Sequence, residues 1–225
     1  VKTAYLIAGV PIKIAAGTNK FANGCGTALA SYKYIVSGNV DWLCAVPAAV
    51  GSLIGSSLGT SAAVYLNEEV LQMIVLAALP VVAVVLFFAR DFGKVEKPPK
   101  TRGQTLLLSL LIGLIIGLYD GLVGPGTGTF LLLLLTGAAR MPLNDSAGIT
   151  KVINLSSNIA ALAVYIFSGN VLYPLGLAAG VFSIAGNYLG TRVFTAKGSR
   201  GVKPIMITVL GIFFIKLCYE LFFAK

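Results

Sequence analysis

The sequence contains no histidine, only three cysteines and few charged residues. Histidine is the usual proton relay near pH 7 and a common metal ligand, so we expect no metal site. Cys25, Cys44 and Cys218 have no CxxC spacing and lie in apolar segments, which favours packing roles over disulfides. The chain has no cluster of histidine with acidic residues, because it has no histidine. We therefore expect neither an enzyme nor a bound cofactor.

Charged residues make up 11% of the 225 residues, whereas a soluble chain contains about 25%. Hydrophobic residues make up 57%, and several apolar runs reach the length of about 20 residues that crosses a bilayer. The composition therefore predicts an all-α, polytopic helical protein in the lipid bilayer. The net charge of +9 lies mostly in two loops, so basic cytoplasmic loops explain it more simply than a nucleic-acid partner.

The stretch from Ala16 to Thr60 recurs without a gap 131 positions later, at Ala147 to Thr191. About 18 of the 45 aligned pairs are identical, including Lys20 with Lys151 and one Ser-Gly-Asn-Val run in each copy. Duplicated apolar units are typical of secondary transporters, whose substrate sites lie between the copies near the middle of the membrane. The alternative is a membrane scaffold or subunit that transports nothing, because duplication alone does not reveal function.

The repeat divides the chain into three parts: residues 1–92 form the first transmembrane repeat, residues 93–103 a cytoplasmic linker, and residues 104–225 the second repeat. Val1 aligns with Leu132, in the middle of an apolar run, so we expect the first repeat to be truncated at its N-terminus. Apolar segments predict membrane helices at 14–36, 40–66, 70–89, 104–121, 145–167, 171–194 and 201–223.

The charges of the loops predict how the two repeats are oriented. Glu68 and Glu69 form an acidic loop at the position that the basic loop 197–203 occupies in the second copy. Because cytoplasmic loops carry an excess of lysine and arginine, copies of opposite orientation explain this difference. We therefore expect inverted repeats, with the Gly-rich turn at 124–128 and the short segment 129–139 forming a broken or re-entrant helix.

Glycines recur at four-residue spacing in two predicted helices, which places them on one face of each helix for close contact with a neighbour. These positions are Gly51, Gly55 and Gly59 in one helix and Gly113, Gly117 and Gly121 in the other.

Lys20 and Lys151 occupy equivalent positions within predicted membrane helices, where a lysine costs on the order of 2.5–3.5 kcal/mol. One interpretation is that they supply the countercharge for an anion held between the repeats. The alternative is that both lysines, near helix starts, extend to the membrane interface. The same segments contain further amide and hydroxyl donors for an anion, namely Asn19, Asn23, Thr150, Asn154 and Asn158.

The turn at 124–128 lacks the Lys-Ser/Thr ending of a nucleotide-binding loop. As the start of a half-helix, its four free N–H groups from Thr127 to Phe130, with Thr127 and Gly128 as the candidate site residues, would suit an anion, unless its glycines serve only tight packing. Asp120 is the candidate for coupling to a proton or another ion. Asp120 could instead cap the half-helix or pair with Lys151.

The segment Gly117-Leu-Tyr-Asp120-Gly-Leu-Val-Gly124-Pro-Gly-Thr-Gly-Thr-Phe130 resembles the Gly-rich signature of the sulfite exporter TauE/SafE family. Gly17-Thr-Asn-Lys20 and the two Ser-Gly-Asn-Val runs are similar to that family as well, and the similarity covers essentially the whole chain. The family's first Gly-rich motif is absent, which agrees with the expected truncation.

The resemblance implies a bacterial-type permease in the cell (inner) membrane for sulfite, sulfonates or related sulfur-containing or organic anions. Such a permease works by alternating access, driven by an ion gradient or by the gradient of its substrate. A homo-oligomer is compatible with this interpretation.

Overall fold

The computed structural model describes residues 9–75, 77–78 and 100–193. In these ranges the chain forms helices and connecting turns without any strand, so the all-α prediction is confirmed. The predicted truncated helix before residue 9, the linker up to residue 99 and the last predicted span at 201–223 lie outside the described residues. The helices are Ile12–Val36 (α1), Trp42–Tyr65 (α2), 68–75 (α3), Arg102–Leu122 (α4), Thr127–Gly137 (α5), Leu143–Phe167 (α6) and 173–193 (α7).

Three helices in the described part of the chain, α2, α4 and α6, are long and apolar enough to cross a membrane. Helix α1 has a similar length but carries Asn19, Lys20 and Asn23, side chains that must face protein or a water-filled cavity rather than lipid. Helix α5 is only 11 residues long and follows a turn, which matches the predicted broken helix.

Helices α1 and α6 are equivalent parts of the repeat and have the same local structure. Each contains 25 residues, and they begin and end 131 positions apart. Each follows a proline with extended backbone, Pro11 or Pro142, and the proline carbonyl accepts the first helical hydrogen bond. Proline suits this position because its fixed φ fits the start of a helix and its missing N–H has no helical partner there.

The Ser-Gly-Asn runs end both helices in the same way. Gly38 and Gly169 have φ values of +71° and +72°, in the left-handed region that glycine adopts most easily. The N–H groups of Asn39 and Asn170 then bond back to the carbonyls of Tyr34 and Tyr165, at 3.1 and 2.9 Å. This Schellman motif satisfies carbonyls that the end of a helix leaves free.

Helices α1 and α6 run antiparallel and pack along their lengths. Gly17 lies against the end of α6 at Tyr165, Asn158 donates to Thr27 at 3.3 Å, and Ser31 donates to the Lys151 carbonyl at 2.9 Å. Contacts therefore follow one another in opposite order along the two helices.

The contacts between the two repeats are reciprocal. Gly17 packs against the Asn170 carbonyl, and its equivalent Gly148 packs against the Asn39 carbonyl. Thr27 and Asn158 are themselves equivalent positions, 131 residues apart, and they contact each other. Both features are expected when two copies are related by an approximate two-fold axis, and the axis then passes near the Thr27–Asn158 contact.

Helices α2 and α4 pack closely through their glycines, so the predicted packing role is confirmed. A Cβ added at Gly55 would collide with the Leu114 carbonyl, and one at Gly113 would collide with the Ala48 carbonyl. The other four glycines of the two rows also meet backbone atoms of the opposite helix. This contact fixes α4, and with it Asp120, relative to the rest of the bundle.

We expect Gly55→Ala to destabilise the protein by about 1–3 kcal/mol, because the added methyl group meets backbone atoms that cannot move aside. The control is Gly186→Ala in α7, at the equivalent position of the second repeat, where a Cβ meets no atom of the described residues within 4 Å. Thermal unfolding of the purified protein in detergent measures both variants. Equal stability of the two would contradict the packing described for α2 and α4.

Candidate functional site

A polar cavity of about 560 Å³ lies between α1, α6 and the turn that joins α4 to α5. Its lining comes from both copies of the repeat, and equivalent residues near the two-fold axis, Asn23 with Asn154 and Thr27 with Asn158, contribute from both sides. The structure brings eight of the ten predicted site residues to this cavity, namely Asn19, Lys20, Asn23, Asp120, Thr127, Gly128, Asn154 and Asn158.

Lys20 and Asp120 form an ion pair at the cavity, with 2.5 Å between Lys20 Nζ and Asp120 Oδ2. Their side chains are 7% and 9% exposed, so the pair is almost completely buried. A single buried charge would be costly, and the pairing satisfies both groups at once. The alternative that Asp120 pairs with Lys151 does not hold, because Lys20 is its partner.

The second carboxylate oxygen of Asp120 contacts the first turn of α5. The Thr127 hydroxyl lies 2.8 Å from Asp120 Oδ1 and 2.6 Å from the Gly124 carbonyl oxygen. A hydroxyl has one proton, so it donates to one of these acceptors at a time. Asp120 thus links Lys20 on α1 to the start of the half-helix.

The turn before α5 directs the start of that helix at the cavity. Gly124 and Gly126 have φ values of +91° and +85°, and Gly126 is the N-cap. The Gly126 carbonyl accepts from the N–H groups of Thr129 and Phe130, at 3.0 and 3.1 Å. Within the described part of the chain, the donors left free in the first turn are therefore the N–H groups of Thr127 and Gly128, a shorter set than the four donors predicted. Both residues line the cavity.

Gly128 also brings the half-helix close to the second repeat. A Cβ added at Gly128 would lie 3.4 Å from the Asn154 amide nitrogen. A larger side chain at this position would therefore fill the space between the helix start and Asn154.

Lys151 and Thr150 do not line the cavity. Lys151 Nζ lies 3.4 Å from Asn187 Oδ1 on α7, and the Thr150 hydroxyl is buried without a hydrogen-bond partner among the described residues. Equivalence in the repeat suggested that both lysines serve one site. In antiparallel helices, however, equivalent positions lie on opposite sides of the two-fold axis, and only positions on the axis come together. Lys20 and Lys151 are seven residues from that axis, in opposite directions.

Sequence analysis missed the Lys20–Asp120 pair and Tyr165, a buried residue that also lines the cavity. Tyr34 and Tyr165 are identical at equivalent positions of the repeat, and this identity could have indicated a buried position in each copy. The ion pair could have been suspected because Asp120 and Lys20 both lie in apolar segments, where neither charge is tolerated alone.

These features define a helical membrane protein with a polar, charge-paired cavity between two copies of a duplicated unit, the arrangement of a membrane transporter. The chain matches the family described as Sulfite exporter TauE/SafE over residues 1–217, and it belongs to that family of membrane transporters. The resemblance seen in the Gly-rich segment is thereby confirmed.

Three relatives carry names of the same kind. The chain is 32% identical to "Probable membrane transporter protein ORF9" of Sinorhizobium sp., over 92% of this chain and 78% of the relative. It is 28% identical to a "Probable membrane transporter protein" of Haemophilus influenzae, over 96% and 84%. It is 27% identical to "Probable membrane transporter protein YfcA" of Escherichia coli K12, over 96% and 80%. No solved structure matches the chain.

We expect Lys20→Met to destabilise the protein by about 3–5 kcal/mol at neutral pH, because it leaves the Asp120 carboxylate buried without its partner. The double variant Lys20→Met/Asp120→Asn removes both charges and should regain most of the stability. Thermal unfolding in detergent at neutral pH measures these differences. A double variant as unstable as Lys20→Met would contradict the ion pair.

Proposed function

We propose that the chain is a secondary transporter of small anions, such as sulfite, sulfonates or other sulfur-containing or organic anions. It would reside in the cell (inner) membrane as a multi-pass protein and work by alternating access between its two repeats. The observation that supports this most is the polar cavity that both repeats line near their shared axis. Its volume of about 560 Å³ falls within the range of roughly 300–1,000 Å³ typical of small-molecule sites.

The donors around the cavity suit the oxygens of a sulfo group or a carboxylate. Lys20 provides a positive charge, and the free N–H groups of Thr127 and Gly128 stand at the positive end of the α5 dipole. Asn23 and Asn154 add one amide from each repeat. An anion in this space could therefore accept hydrogen bonds from three directions.

The same cavity disfavours the alternative of a scaffold that transports nothing. A scaffold gains stability from a tightly packed apolar interior, whereas here a buried ion pair and four asparagines surround open space. Polar residues of this kind inside a membrane protein are costly, and they commonly mark the path of a substrate or an ion.

Uptake by proteoliposomes tests the proposal with labelled sulfite, thiosulfate, methanesulfonate and acetate. We expect the wild type to take up at least one of these anions faster than protein-free liposomes. Lys20→Met/Asp120→Asn should abolish that uptake, because it keeps the fold but removes the cation from the cavity. Lys33→Met is the matched control, since Lys33 lies on the same helix as Lys20 but outside the cavity. Equal loss in both variants would contradict a site centred on Lys20.

We further propose that the two repeats are inverted in the membrane. The antiparallel contact of α1 with α6 supports this, because equivalent helices that run in opposite directions enter the bilayer from opposite sides. The opposite charge of the loops at Glu68 and at 197–203 agrees with it.

Single cysteines at Glu68 and Lys197, in a background without the three native cysteines, test this orientation. We expect a membrane-impermeant thiol reagent to label Glu68→Cys from the outside and Lys197→Cys only from the cytoplasmic side. Labelling of both from one side would rule out inverted copies.

A further inference from the structure

We infer that the cavity binds one monovalent anion together with one proton, the proton on Asp120 and the anion on Lys20 in place of the Asp120 carboxylate. The inference rests on the proposed function and extends it, because it names the charge of the substrate and the coupling ion.

The first step concerns the charge of the cavity. Among the residues that the structure describes, Lys20 and Asp120 are the only charged ones that line it, and they are paired with each other. While Asp120 is ionised, the cavity has no net charge, and an arriving anion meets a carboxylate of its own sign beside a lysine that is already compensated. The ionised pair therefore gives an anion no net attraction.

The second step is protonation of Asp120. A proton on the carboxylate removes its charge but leaves the Lys20 ammonium unchanged, so one positive charge becomes available at the cavity. The ammonium then exchanges the carboxylic acid for the incoming anion. Only hydrogen bonds and ionic contacts change, and no covalent bond of the protein forms or breaks except the O–H bond of Asp120.

The structure already holds a partner for the protonated form. When Asp120 is ionised, the Thr127 hydroxyl can donate to Oδ1 at 2.8 Å. When Oδ1 carries a proton, the direction reverses: Asp120 donates to the Thr127 oxygen, and Thr127 donates to the Gly124 carbonyl at 2.6 Å. Both protonation states are therefore satisfied by the same three groups without moving the backbone.

Few other groups near Asp120 could take up this proton. Lys20 faces it from α1 and Tyr165 lines the cavity from α6, while the hydroxyl of the neighbouring Tyr119 donates to the Pro125 carbonyl at 2.5 Å. Helix α2, packed on the opposite face of α4, presents serine and threonine at this level, and the chain has no histidine. Among the described residues that line the cavity, Asp120 is thus the only carboxylate and none is a histidine, so it is the group to which the inference assigns the proton.

The charge balance selects the substrate. With a proton on Asp120 and a monovalent anion at Lys20, the cavity is neutral again, as it is when empty. A dianion would leave one negative charge uncompensated in a buried site. We therefore expect anion and proton to cross together without net movement of charge.

Uptake of methanesulfonate tests the coupling, because this anion is monovalent at every pH used, so any pH dependence belongs to the protein. If the four-anion panel shows no methanesulfonate uptake, sulfite or acetate replaces it, and the difference in uptake between the wild type and Asp120→Asn at the same pH gradient then measures the part that belongs to the protein. With the outside two pH units more acidic than the inside, we expect accumulation to approach about 100-fold, since each pH unit contributes a factor of ten. A potassium–valinomycin clamp of the membrane potential should not change this accumulation.

Asp120→Asn keeps the shape of the side chain but cannot exchange a proton. We expect its uptake to ignore the pH gradient and to respond to an inside-positive potential instead. The matched control is Asp145→Asn, which makes the same change at a carboxylate on α6 outside the cavity and should keep wild-type coupling. If Asp120→Asn does not fold, a pH-sensitive dye inside wild-type liposomes decides the matter, because one proton should enter with each anion.

Three results would overturn the inference: wild-type uptake that ignores the pH gradient, uptake driven by a sodium gradient instead, or full pH-driven accumulation by Asp120→Asn. These results differ from failure of the proposed function, in which wild-type liposomes carry none of the four anions at any pH.

Discussion

The cost of placing charge in a membrane interior is the constraint on which this structure depends. Lys20 and Asp120 are each expensive alone, and they are tolerated because their side chains meet at 2.5 Å in a nearly buried site. The pair joins α1 to α4, and Thr127 extends it to α5. Helix α1 and the consecutive helices α4 and α5, about 100 positions further along the chain, are thereby held around one cavity. The ion pair that lowers the cost of burying the two charges also places them at the cavity, where a ligand can reach them.

The ion pair needs α4 in a fixed position, and the glycine rows provide it. Each of the six glycines in the two rows lets the opposite backbone approach to a distance that any side chain would prevent. Such contact is specific in register, because a shift by one residue would set a larger side chain against a backbone carbonyl. Gly121 lies in the glycine row and adjoins Asp120, so the register of this packing determines where the carboxylate points. Packing and charge pairing thus support each other.

Much of this architecture could be predicted from the sequence because it follows from local rules. Four-residue glycine spacing predicted the α2–α4 contact, and the turn at 124–128 predicted the break before α5. The Ser-Gly-Asn runs marked the ends of α1 and α6, where glycine adopts positive φ. Eight of the ten candidate residues line the cavity because polar side chains in apolar helices are costly where they face lipid. The partner of Asp120 could not be derived this way, since a contact between residues 100 positions apart depends on how the helices cross.

The position of Lys151 shows what a repeat can and cannot reveal about a site. Identity between copies indicates that each residue has a similar environment within its own repeat. It does not show that both residues bind the same ligand. A two-fold axis brings together only residues that lie on it, here Thr27 and Asn158, and separates all other equivalent pairs in proportion to their distance from it. The cavity accordingly lies on one side, along the N-terminal half of α1 and the C-terminal half of α6. A one-sided cavity between two-fold related halves is the asymmetry that alternating access requires, because exchanging the conformations of the halves moves the opening to the other side. Lys151 lies outside this cavity, where it contacts Asn187 on α7, so its identity with Lys20 does not make it part of the same site.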